Sequence, residues 1–339
     1  MRFFLSFLHK TTINFVIVLF LLISGFLFGN FYVGVQAKKD RPPRDNEVRT
    51  YNRGDYLFTN PLLECGDFNS LSNKTTVALK ESVKQFVDVT IAGGEADQVS
   101  VYFRDLNNGP WFGLGEKEIF LPGSLLKVPL LMAILRKAED NPTLLNRRFL
   151  NTRNRTDIIE HFSPAQEIEP GKSYAVQELL QAMIKYSDNN ATSLLTRVIS
   201  EKDIKNIYLD LGIDIPQSNQ YSMSVRTYAS FFRILFNATY FSRRSSEDAL
   251  RLLSETDFKQ GIVLGVPAGV TVAHKFGERG IAETDQDQLH DCGIVYYPNQ
   301  PYVLCVMTRG SDYDKLAGVI ANISKIVYET IRGGGLSEK

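Results

Sequence analysis

The sequence predicts an α+β fold in which one antiparallel β-sheet, completed by both termini of a large domain, stands beside a helical lobe. Strand-like patterns occur near both ends of the domain, at 99–105 and 111–115 and then at 270–277, 290–297 and 302–309. The region between them, from 124 to 256, carries mainly helix-like apolar patterns. Strands at both ends with helices between them imply one sheet to which both ends contribute.

The individual elements follow from periodicity and from turn residues. The first two strands are separated by the turn Asn107-Asn108-Gly109-Pro110, which predicts a hairpin. Residues 298–301, with a proline at each end, connect the last two strands. Helices are predicted at 73–87, 125–135, 176–186, 191–199, 225–239 and 247–256, and an amphipathic helix at 316–331 closes the domain.

Composition argues against several classes of protein. The chain has 339 residues and a formal net charge of zero, which gives no electrostatic reason to expect a nucleic-acid partner. Its three cysteines give no disulfide framework, and Cys292 and Cys305 lie in apolar strand patterns, so they are predicted to be buried thiols. Four scattered histidines without a Cys/His cluster argue against a metal site, and no cofactor is expected.

The first 37 residues are predicted to be a membrane anchor or a signal segment. No charged residue occurs from Thr11 to Ala37, a length that can cross a bilayer. The length favours an uncleaved anchor, although Val35-Gln36-Ala37 resembles a signal-peptide cleavage site. Basic residues flank the span on both sides, so charge does not fix its orientation. The chain is predicted to divide into the anchor or signal segment 1–37, a charged linker 38–58, the domain 59–333 and a disordered tail 334–339.

Ser124-Leu125-Leu126-Lys127 is the only Ser-x-x-Lys in the chain, and it begins an apolar helical run. Residues three apart on a helix share one face, so the Ser124 hydroxyl and the Lys127 amine are expected to meet. Burial lowers the pKa of a lysine, and a neutral amine can accept the proton of a serine hydroxyl. The pair is therefore predicted to be a nucleophile and its base. Taken alone, the segment could also be a core helix with one snorkelling lysine.

Two further motifs follow in order. Ser187-Asp188-Asn189 lies between two predicted helices, where Asp188 is expected to hold the turn while its neighbours face a cleft. An ordinary helix cap would explain the same three residues. Lys275-Phe276-Gly277 lies in a strand pattern and is preferred to Lys259-Gln260-Gly261, which follows a helix in a polar turn. Side chains alternate along a strand, so His274 is expected on the face opposite Lys275, in a structural role.

The ordered motifs S-x-x-K, S-D-N and K-x-G, with the stretches around them, carry a family resemblance. The region from about 65 to 331 resembles the catalytic domain of class A β-lactamases and of their relatives, the penicillin-binding D-alanyl-D-alanine peptidases. The matching stretches are 123–129, 171–180, 186–191, 274–277 and 290–296. The resemblance implies an α/β/α sandwich of the β-lactamase/transpeptidase type.

The resemblance also implies a role for each site residue. Ser124 would be the acylated nucleophile, Lys127 its base, and Ser187 a relay that passes a proton to the leaving nitrogen. Asn189 would bind the substrate amide, and Lys275 would support the site electrostatically. The strand beyond Gly277 would present the backbone N–H of Glu278, which would form an oxyanion hole with the N–H of Ser124. The implied substrate is a peptidoglycan-type peptide or a β-lactam.

Two departures from the family pattern shape the expected function. Phe276 stands where the family has Thr or Ser, which removes a hydroxyl that would hold the substrate carboxylate. The stretch 212–220 contains no Glu to activate water, and Glu278 and Glu283 are the only carboxylates expected nearby. The sequence thus predicts an extracytoplasmic active-site-serine hydrolase, membrane-anchored or secreted, that acylates Ser124 and deacylates slowly. The alternative is a weak or inactive cell-envelope binding protein with the same fold.

Overall fold

The computed structural model describes residues 56–61, 73–107, 109–152, 160–213, 222–281 and 286–334. All of them belong to one compact unit, Arg53–Lys339. They form nine strands, which are β1 Gln98–Asp105, β2 Trp111–Leu114, β3 Ile119–Phe120, β4 Arg148–Leu150, β5 Ser173–Ala175, β6 Met223–Ser224, β7 Val272–Ile281, β8 Gln286–Val295 and β9 Tyr302–Gly310. They also form eight α-helices, which are α1 Asn73–Ala92, α2 Lys127–Asp140, α3 Val176–Lys185, α4 Asn189–Leu195, α5 Glu201–Asp210, α6 Val225–Asn237, α7 Arg243–Ser254 and α8 Tyr313–Gly334.

Both ends of the domain contribute to the main sheet, as the sequence predicts. Its five strands are ordered β2-β1-β9-β8-β7, and every neighbouring pair is antiparallel. The N-terminal strand β1 lies against the C-terminal strand β9 along its whole length, from Gln98 opposite Arg309 to Asp105 opposite Tyr302. Strands from the two ends of the domain therefore pair within the sheet, and β7 forms one of its edges.

Helices cover both faces of this sheet. Side chains alternate along β1, so Val101 and Phe103 join a core with α1 and α8, while Tyr102 joins a second core with the helical lobe. In the lobe core, α2 and α6 bury continuous apolar faces that include Leu131 and Phe232. The result is an α/β/α sandwich, and the predicted fold class is confirmed.

The hairpin of β7 and β8 is longer than predicted. The pairing continues from Gly277 opposite His290 to Ile281 opposite Gln286. Its outer part carries the polar residues Glu278, Arg279, Asp287 and Gln288, which lack the apolar alternation on which the strand boundaries were based. Backbone hydrogen bonds hold this part of the ladder without a hydrophobic pattern.

The prediction that Cys292 and Cys305 are separate buried thiols is wrong. The two residues lie directly opposite each other in β8 and β9, and the structure joins them as a disulfide. Directly opposed residues of an antiparallel pair point to the same face of the sheet, which brings the two sulfur atoms together.

His274 lies on the face of β7 opposite Lys275, as alternation predicts. It is buried, and its Nδ1 lies 2.8 Å from Asp291 Oδ1. The other oxygen of Asp291 accepts the backbone N–H of Ile262 at 2.9 Å. This polar group ties two sheet strands to the turn at 262–265 and has a structural role.

At the N-terminal side, residues 56–61 lie against α6 and α7. The Glu247 carboxylate accepts the backbone N–H groups of Phe58 and Thr59, each at 2.8 Å. None of the helices in the described part of the chain is long and apolar enough to cross a membrane. The predicted anchor or signal segment 1–37 lies outside the described residues, as does most of the predicted linker.

Candidate active site

Ser124 lies in a single 3₁₀ turn, Gly123–Leu126, that runs directly into α2. Gly123 begins the turn with a φ of 53°, a conformation that glycine adopts without a steric penalty. Pro129 is the third residue of α2, in its first turn, where a proline is tolerated. Ser124 therefore lies at the N-terminal end of a helix with Lys127 one turn away.

Strand β7 approaches this turn closely enough to require two glycines. A Cβ added at Gly123 would lie 2.3 Å from the Glu278 carbonyl oxygen, and one at Gly277 would lie 2.4 Å from the Pro122 carbonyl oxygen. The buried side chains of β8 fix the same turn, because His290 Nε2 donates to the Leu121 carbonyl oxygen at 3.0 Å. Burial lowers the pKa of His290 to about 4, so it serves as a neutral donor. The backbone at Gly277 and Glu278 is thus held against the serine turn.

The Lys127 amine is surrounded by oxygen atoms. Its Nζ lies 2.8 Å from Ser124 Oγ, 2.5 Å from the Ser187 carbonyl oxygen, 3.0 Å from Ser187 Oγ and 2.9 Å from Asn189 Oδ1. The side chain is buried, with 4% of its surface exposed. The structure therefore brings the first and second motifs into direct contact.

A neutral amine can satisfy these neighbours. The Ser187 carbonyl oxygen and Asn189 Oδ1 can only accept, and a neutral amine has two N–H donors for them. Its lone pair is then available to the Ser124 hydroxyl, 2.8 Å away. A charged ammonium has no lone pair, so it could only donate to Ser124. The arrangement allows Lys127 to take the serine proton.

Lys275 approaches the same site from β7 and is fully buried. Its Nζ donates to Ser187 Oγ at 3.0 Å and to the Phe276 carbonyl oxygen at 3.0 Å. Ser187 Oγ is therefore shared between the two lysines. The competing motif lysine, Lys259, instead donates to the Thr256 carbonyl oxygen at 2.6 Å.

The second motif combines a helix cap with the site, as both of its interpretations allow. Asp188 is buried and caps α4, because its Oδ1 accepts the N–H groups of Asn190 and Ala191. Its other oxygen accepts the N–H of Ile168 at 2.7 Å. Ser187 adopts a φ of 60°, which is uncommon for a residue with a side chain. The cap holds Ser187 in this conformation, with its hydroxyl between the lysines.

Sequence reasoning missed Glu160. Its Oε1 accepts a hydrogen bond from Asn189 Nδ2 at 2.7 Å, which places a carboxylate beside a predicted substrate-binding amide. The expectation that Glu278 and Glu283 are the only nearby carboxylates is therefore wrong. Glu283 and most of the stretch 212–220 lie outside the described residues.

The residues that follow Glu160 reach the opposite side of the site. The Glu278 carboxylate accepts the backbone N–H groups of His161 at 2.8 Å and Phe162 at 3.1 Å. The Phe162 ring packs edge-on against Phe258 at a centroid distance of 5.0 Å. Residues 160–162 thus form a strap that connects the Asn189 side of the site to β7.

Phe276 contributes no polar group to the site. Its ring stacks on Phe258 at a centroid distance of 4.2 Å and is buried. Lys275 Nζ lies 4.2 Å from the centroid of the same ring. Phe276, which stands where the family has Thr or Ser, therefore packs in an aromatic cluster.

Burial dominates the electrostatics of the site. It lowers the pKa of Lys127 to about 8, against the opposing effects of the carboxylates of Glu160, Asp188 and Glu278. Burial, followed by the charge of Lys127, holds the pKa of Lys275 well below its usual range. Burial also raises the pKa values of Glu160 and Glu278. Each of these shifts favours the neutral form of its group.

The rate of acylation is expected to rise with pH, with a midpoint near the Lys127 pKa of about 8. Below that pKa the amine is protonated and cannot accept the serine proton; above it the rate should level off. The measurement is the second-order rate constant for labelling by a fluorescent penicillin as a function of pH. Circular dichroism over the same range controls for unfolding. A rate that stays constant across this range would contradict the base assignment.

Gly277→Ala is expected to reduce acylation by about 10²-fold or more, the usual cost of losing an oxyanion donor. The added Cβ would meet the Pro122 carbonyl oxygen at 2.4 Å and the Leu125 nitrogen at 2.8 Å, so β7 must move away from the serine turn. Gly318→Ala is the matched control, because a Cβ at Gly318 in α8 would meet nothing within 4 Å. Labelling of the Gly277 variant at the control rate would contradict the proposed contribution of β7.

No group of three or more His, Cys, Asp or Glu residues suited to a metal ion occurs among the described residues.

The fold and the joined motifs define a class A β-lactamase-like protein. The chain belongs to the Beta-lactamase enzyme family, whose profile matches residues 78–331. It is 24% identical to the Extended-spectrum beta-lactamase PER-1 of Pseudomonas aeruginosa over 234 residues, covering 62% of this chain and 75% of that protein. It is 23% identical to the Imipenem-hydrolyzing beta-lactamase of Enterobacter cloacae over 296 residues, covering 81% of this chain and 96% of that protein.

Solved structures show the same fold. The extended-spectrum β-lactamase TLA-1 superposes with a TM-score of 0.64 at 19% identity, covering 76% of this chain and 99% of that one. PBP-A superposes with a TM-score of 0.60 at 23% identity, covering 82% and 99%. A PBP-A variant solved as an acyl-enzyme complex with penicillin G gives 0.63 at 24% identity, covering 76% and 97%.

Proposed function

We propose that this protein is an active-site-serine hydrolase that forms an acyl-enzyme on Ser124 with a β-lactam or with a D-Ala-type peptide amide. The observation that carries the proposal is the 2.8 Å contact between Lys127 Nζ and Ser124 Oγ, in surroundings that suit a neutral amine. Membership of the Beta-lactamase enzyme family supports hydrolase chemistry. The solved acyl-enzyme of a PBP-A variant offers a precedent on the same fold.

In the proposed acylation, Ser124 Oγ attacks the carbonyl carbon, its proton passes to Lys127 Nζ, and the carbonyl oxygen becomes an oxyanion between the N–H groups of Ser124 and Glu278. The carbon–nitrogen bond then breaks. The proton reaches the leaving nitrogen from Lys127 through Ser187 Oγ, which lies 3.0 Å from the lysine nitrogen. Lys275, 3.0 Å from the same hydroxyl, donates a hydrogen bond to Ser187 Oγ during this transfer.

Labelling with a fluorescent penicillin, and separately with a serine-directed phosphonate, tests this proposal. Wild-type protein should become covalently labelled by at least one of the two probes, and Ser124→Ala should not. Ser193→Ala is a matched control, because Ser193 lies on α4 away from the described contacts of Lys127. Equal labelling of wild type and Ser124→Ala would refute the nucleophile assignment.

A binding protein with weak or no turnover is the second candidate. Phe276 favours it, because the aromatic cluster with Phe258 replaces a hydroxyl that would hold a substrate carboxylate. Such a protein would bind a cell-envelope peptide without forming a covalent adduct. Absence of labelling by both probes, together with measurable binding of a D-Ala-D-Ala peptide, would favour this candidate.

We also propose that the domain acts on the extracytoplasmic face of a membrane. The uncharged run from Thr11 to Ala37 supports an N-terminal anchor. The disulfide between Cys292 and Cys305 supports an oxidising compartment. A peptidoglycan-type peptide would be available to the site there.

Fractionation of cells that express the full chain is expected to recover it in the membrane fraction, because a long uncharged span partitions into lipid. Intact mass of the recovered protein reports whether the N-terminus is retained. Deletion of residues 1–37 should release the domain into the soluble fraction. Recovery of a soluble wild-type form that begins near Lys38 would show that the segment is a cleaved signal peptide.

A further inference from the structure

We propose that Glu160 makes this site selective for substrates that carry an ammonium group on the acyl side of the scissile bond, close to the amide carbonyl. The inference rests on the proposed function, because it assigns a substrate class to the same site. Glu160 belongs to none of the three sequence motifs.

The hydrogen bond between Asn189 and Glu160 determines how far a bound substrate carbonyl oxygen would lie from the Glu160 carboxylate. Asn189 Nδ2 carries two hydrogens, and one of them donates to Glu160 Oε1 at 2.7 Å. No second hydrogen bond from Asn189 Nδ2 occurs among the described residues, so the other hydrogen can donate to a substrate carbonyl oxygen. With ordinary hydrogen-bond lengths and an angle of about 120° between the two donors, that oxygen would lie about 5 Å from Glu160 Oε1. An ammonium one or two carbons from the carbonyl can occupy this gap and contact the carboxylate.

No cationic side chain of the described residues hydrogen-bonds to Glu160, although the charges of Lys127 and Lys275 act on it at longer range. Within the described residues, the hydrogen-bond partners of Glu160 and Glu278 are neutral N–H groups from Asn189 and the backbone of the strap. The amines of Lys127 and Lys275 hydrogen-bond to other oxygen atoms in the site, as described above. Glu160 is half-buried, so a cation beside it would be only weakly screened.

The other two residues of the strap hold Glu160 in position. The next two residues donate their N–H groups to Glu278, and Phe162 packs against Phe258. Selectivity by charge requires that the carboxylate keeps its position when a neutral or anionic substrate group binds. These contacts of the two residues that follow Glu160, together with its own hydrogen bond from Asn189, hold the carboxylate in place, so an anionic acyl group would meet a negative charge there.

Three penicillins that differ at one carbon test the proposal. Penicillin G has a neutral side chain, ampicillin adds an α-ammonium and carbenicillin adds an α-carboxylate. Second-order acylation rate constants are compared within each variant, at a pH where the ampicillin amine is protonated. Glu160→Gln removes the charge while keeping an oxygen that can accept from Asn189. Glu169→Gln is the control, because Glu169 is an exposed carboxylate of the same loop and pairs with Lys172 at 2.8 Å.

Wild-type protein and the Glu169 variant should acylate with ampicillin about 10- to 100-fold faster than with penicillin G, the range expected for a hydrogen bond to a charged group. Carbenicillin should be slowest. In Glu160→Gln the ampicillin preference should fall to near one. A preference that is absent in wild type, or unchanged in Glu160→Gln, would overturn the proposal. The proposal would also be overturned if Glu160→Gln lengthened the lifetime of all three adducts equally and left the ratio of the ampicillin and penicillin G rates unchanged. That result would assign Glu160 to hydrolysis of the adduct.

A binding measurement separates this proposal from the proposed function. Calorimetry with two non-reactive N-acyl amides, one with an α-ammonium and one without, needs no acylation of Ser124. A preference for the ammonium ligand that depends on Glu160 would support the selectivity even if no penicillin acylates the protein. Equal affinities in wild type and Glu160→Gln would refute the selectivity even if acylation occurs.

Discussion

Replacing Lys127 with alanine or arginine is expected to reduce acylation of Ser124 by about 10²- to 10⁴-fold, the usual contribution of a general base. Arginine tests protonation in particular, because it keeps the positive charge but cannot become neutral at ordinary pH. Lys137→Ala is the matched control, since Lys137 lies on the same helix and donates to the Val198 carbonyl oxygen and to Asp203. The measurement is the labelling rate with a fluorescent penicillin.

Ser124 and Lys127 should behave as one unit in this experiment. Ser124→Ala abolishes the nucleophile, so adding Lys127→Ala should cause no further loss. Circular dichroism should show that each variant keeps its fold. Labelling of Lys127→Arg at the wild-type rate would contradict the assignment of the base.

The second large effect concerns turnover. A β-lactam adduct on Ser124 is expected to be long-lived, with a burst of about one equivalent followed by hydrolysis about 10²- to 10⁴-fold slower than with a positioned base. The stretch 212–220 has no glutamate to activate water. Among the described residues, the hydrogen bonds of Glu160 and Glu278 come from Asn189 and from two strap N–H groups, and none joins either carboxylate to Ser124 or Lys127. Neither carboxylate is therefore held beside the nucleophile.

A chromogenic cephalosporin measures this directly, with the burst amplitude read against the concentration of folded protein. Ser124→Ala is the control for hydrolysis that does not involve the serine. Rapid steady-state hydrolysis without a detectable adduct would show that another residue supplies the base.

The overall fold could be predicted because strand and helix patterns are local and strong. The one-turn spacing of Ser124 and Lys127 also predicts their contact without further information. The contacts of Ser187 with the two lysines depend on tertiary packing, so only the family resemblance indicated them. The contact between Ser124 and Lys127 could be predicted because a one-turn spacing on a helix fixes the directions of the two side chains.

The contact between Cys292 and Cys305 was missed because of a small error in the predicted ends of two strands. The predicted connection 298–301 would pair residue 297 with 302 and put Cys305 opposite residue 294. The structure instead pairs Val295 with Tyr302, because the connection is two residues longer. This register brings Cys292 opposite Cys305. The pairing therefore depended on the exact ends of two strands, which apolar patterns do not define.

Glu160 could not have been found from sequence patterns. It lies 29 residues before Asn189, outside any regular element. Its position depends on hydrogen bonds from the neighbouring backbone to Glu278, which lies more than a hundred residues further along the chain. Such contacts between loops have no periodic signature, and only the folded chain shows them.

Intact-protein mass spectrometry during incubation with penicillin G tests the central claim most directly. Wild-type protein is expected to gain the mass of one penicillin molecule, which peptide mapping should place on Ser124, and the adduct should persist after free penicillin is removed. Ser124→Ala should gain nothing. No mass gain with penicillin G and none with a serine-directed phosphonate, or an adduct on any other residue, would contradict the assignment of Ser124 as the nucleophile.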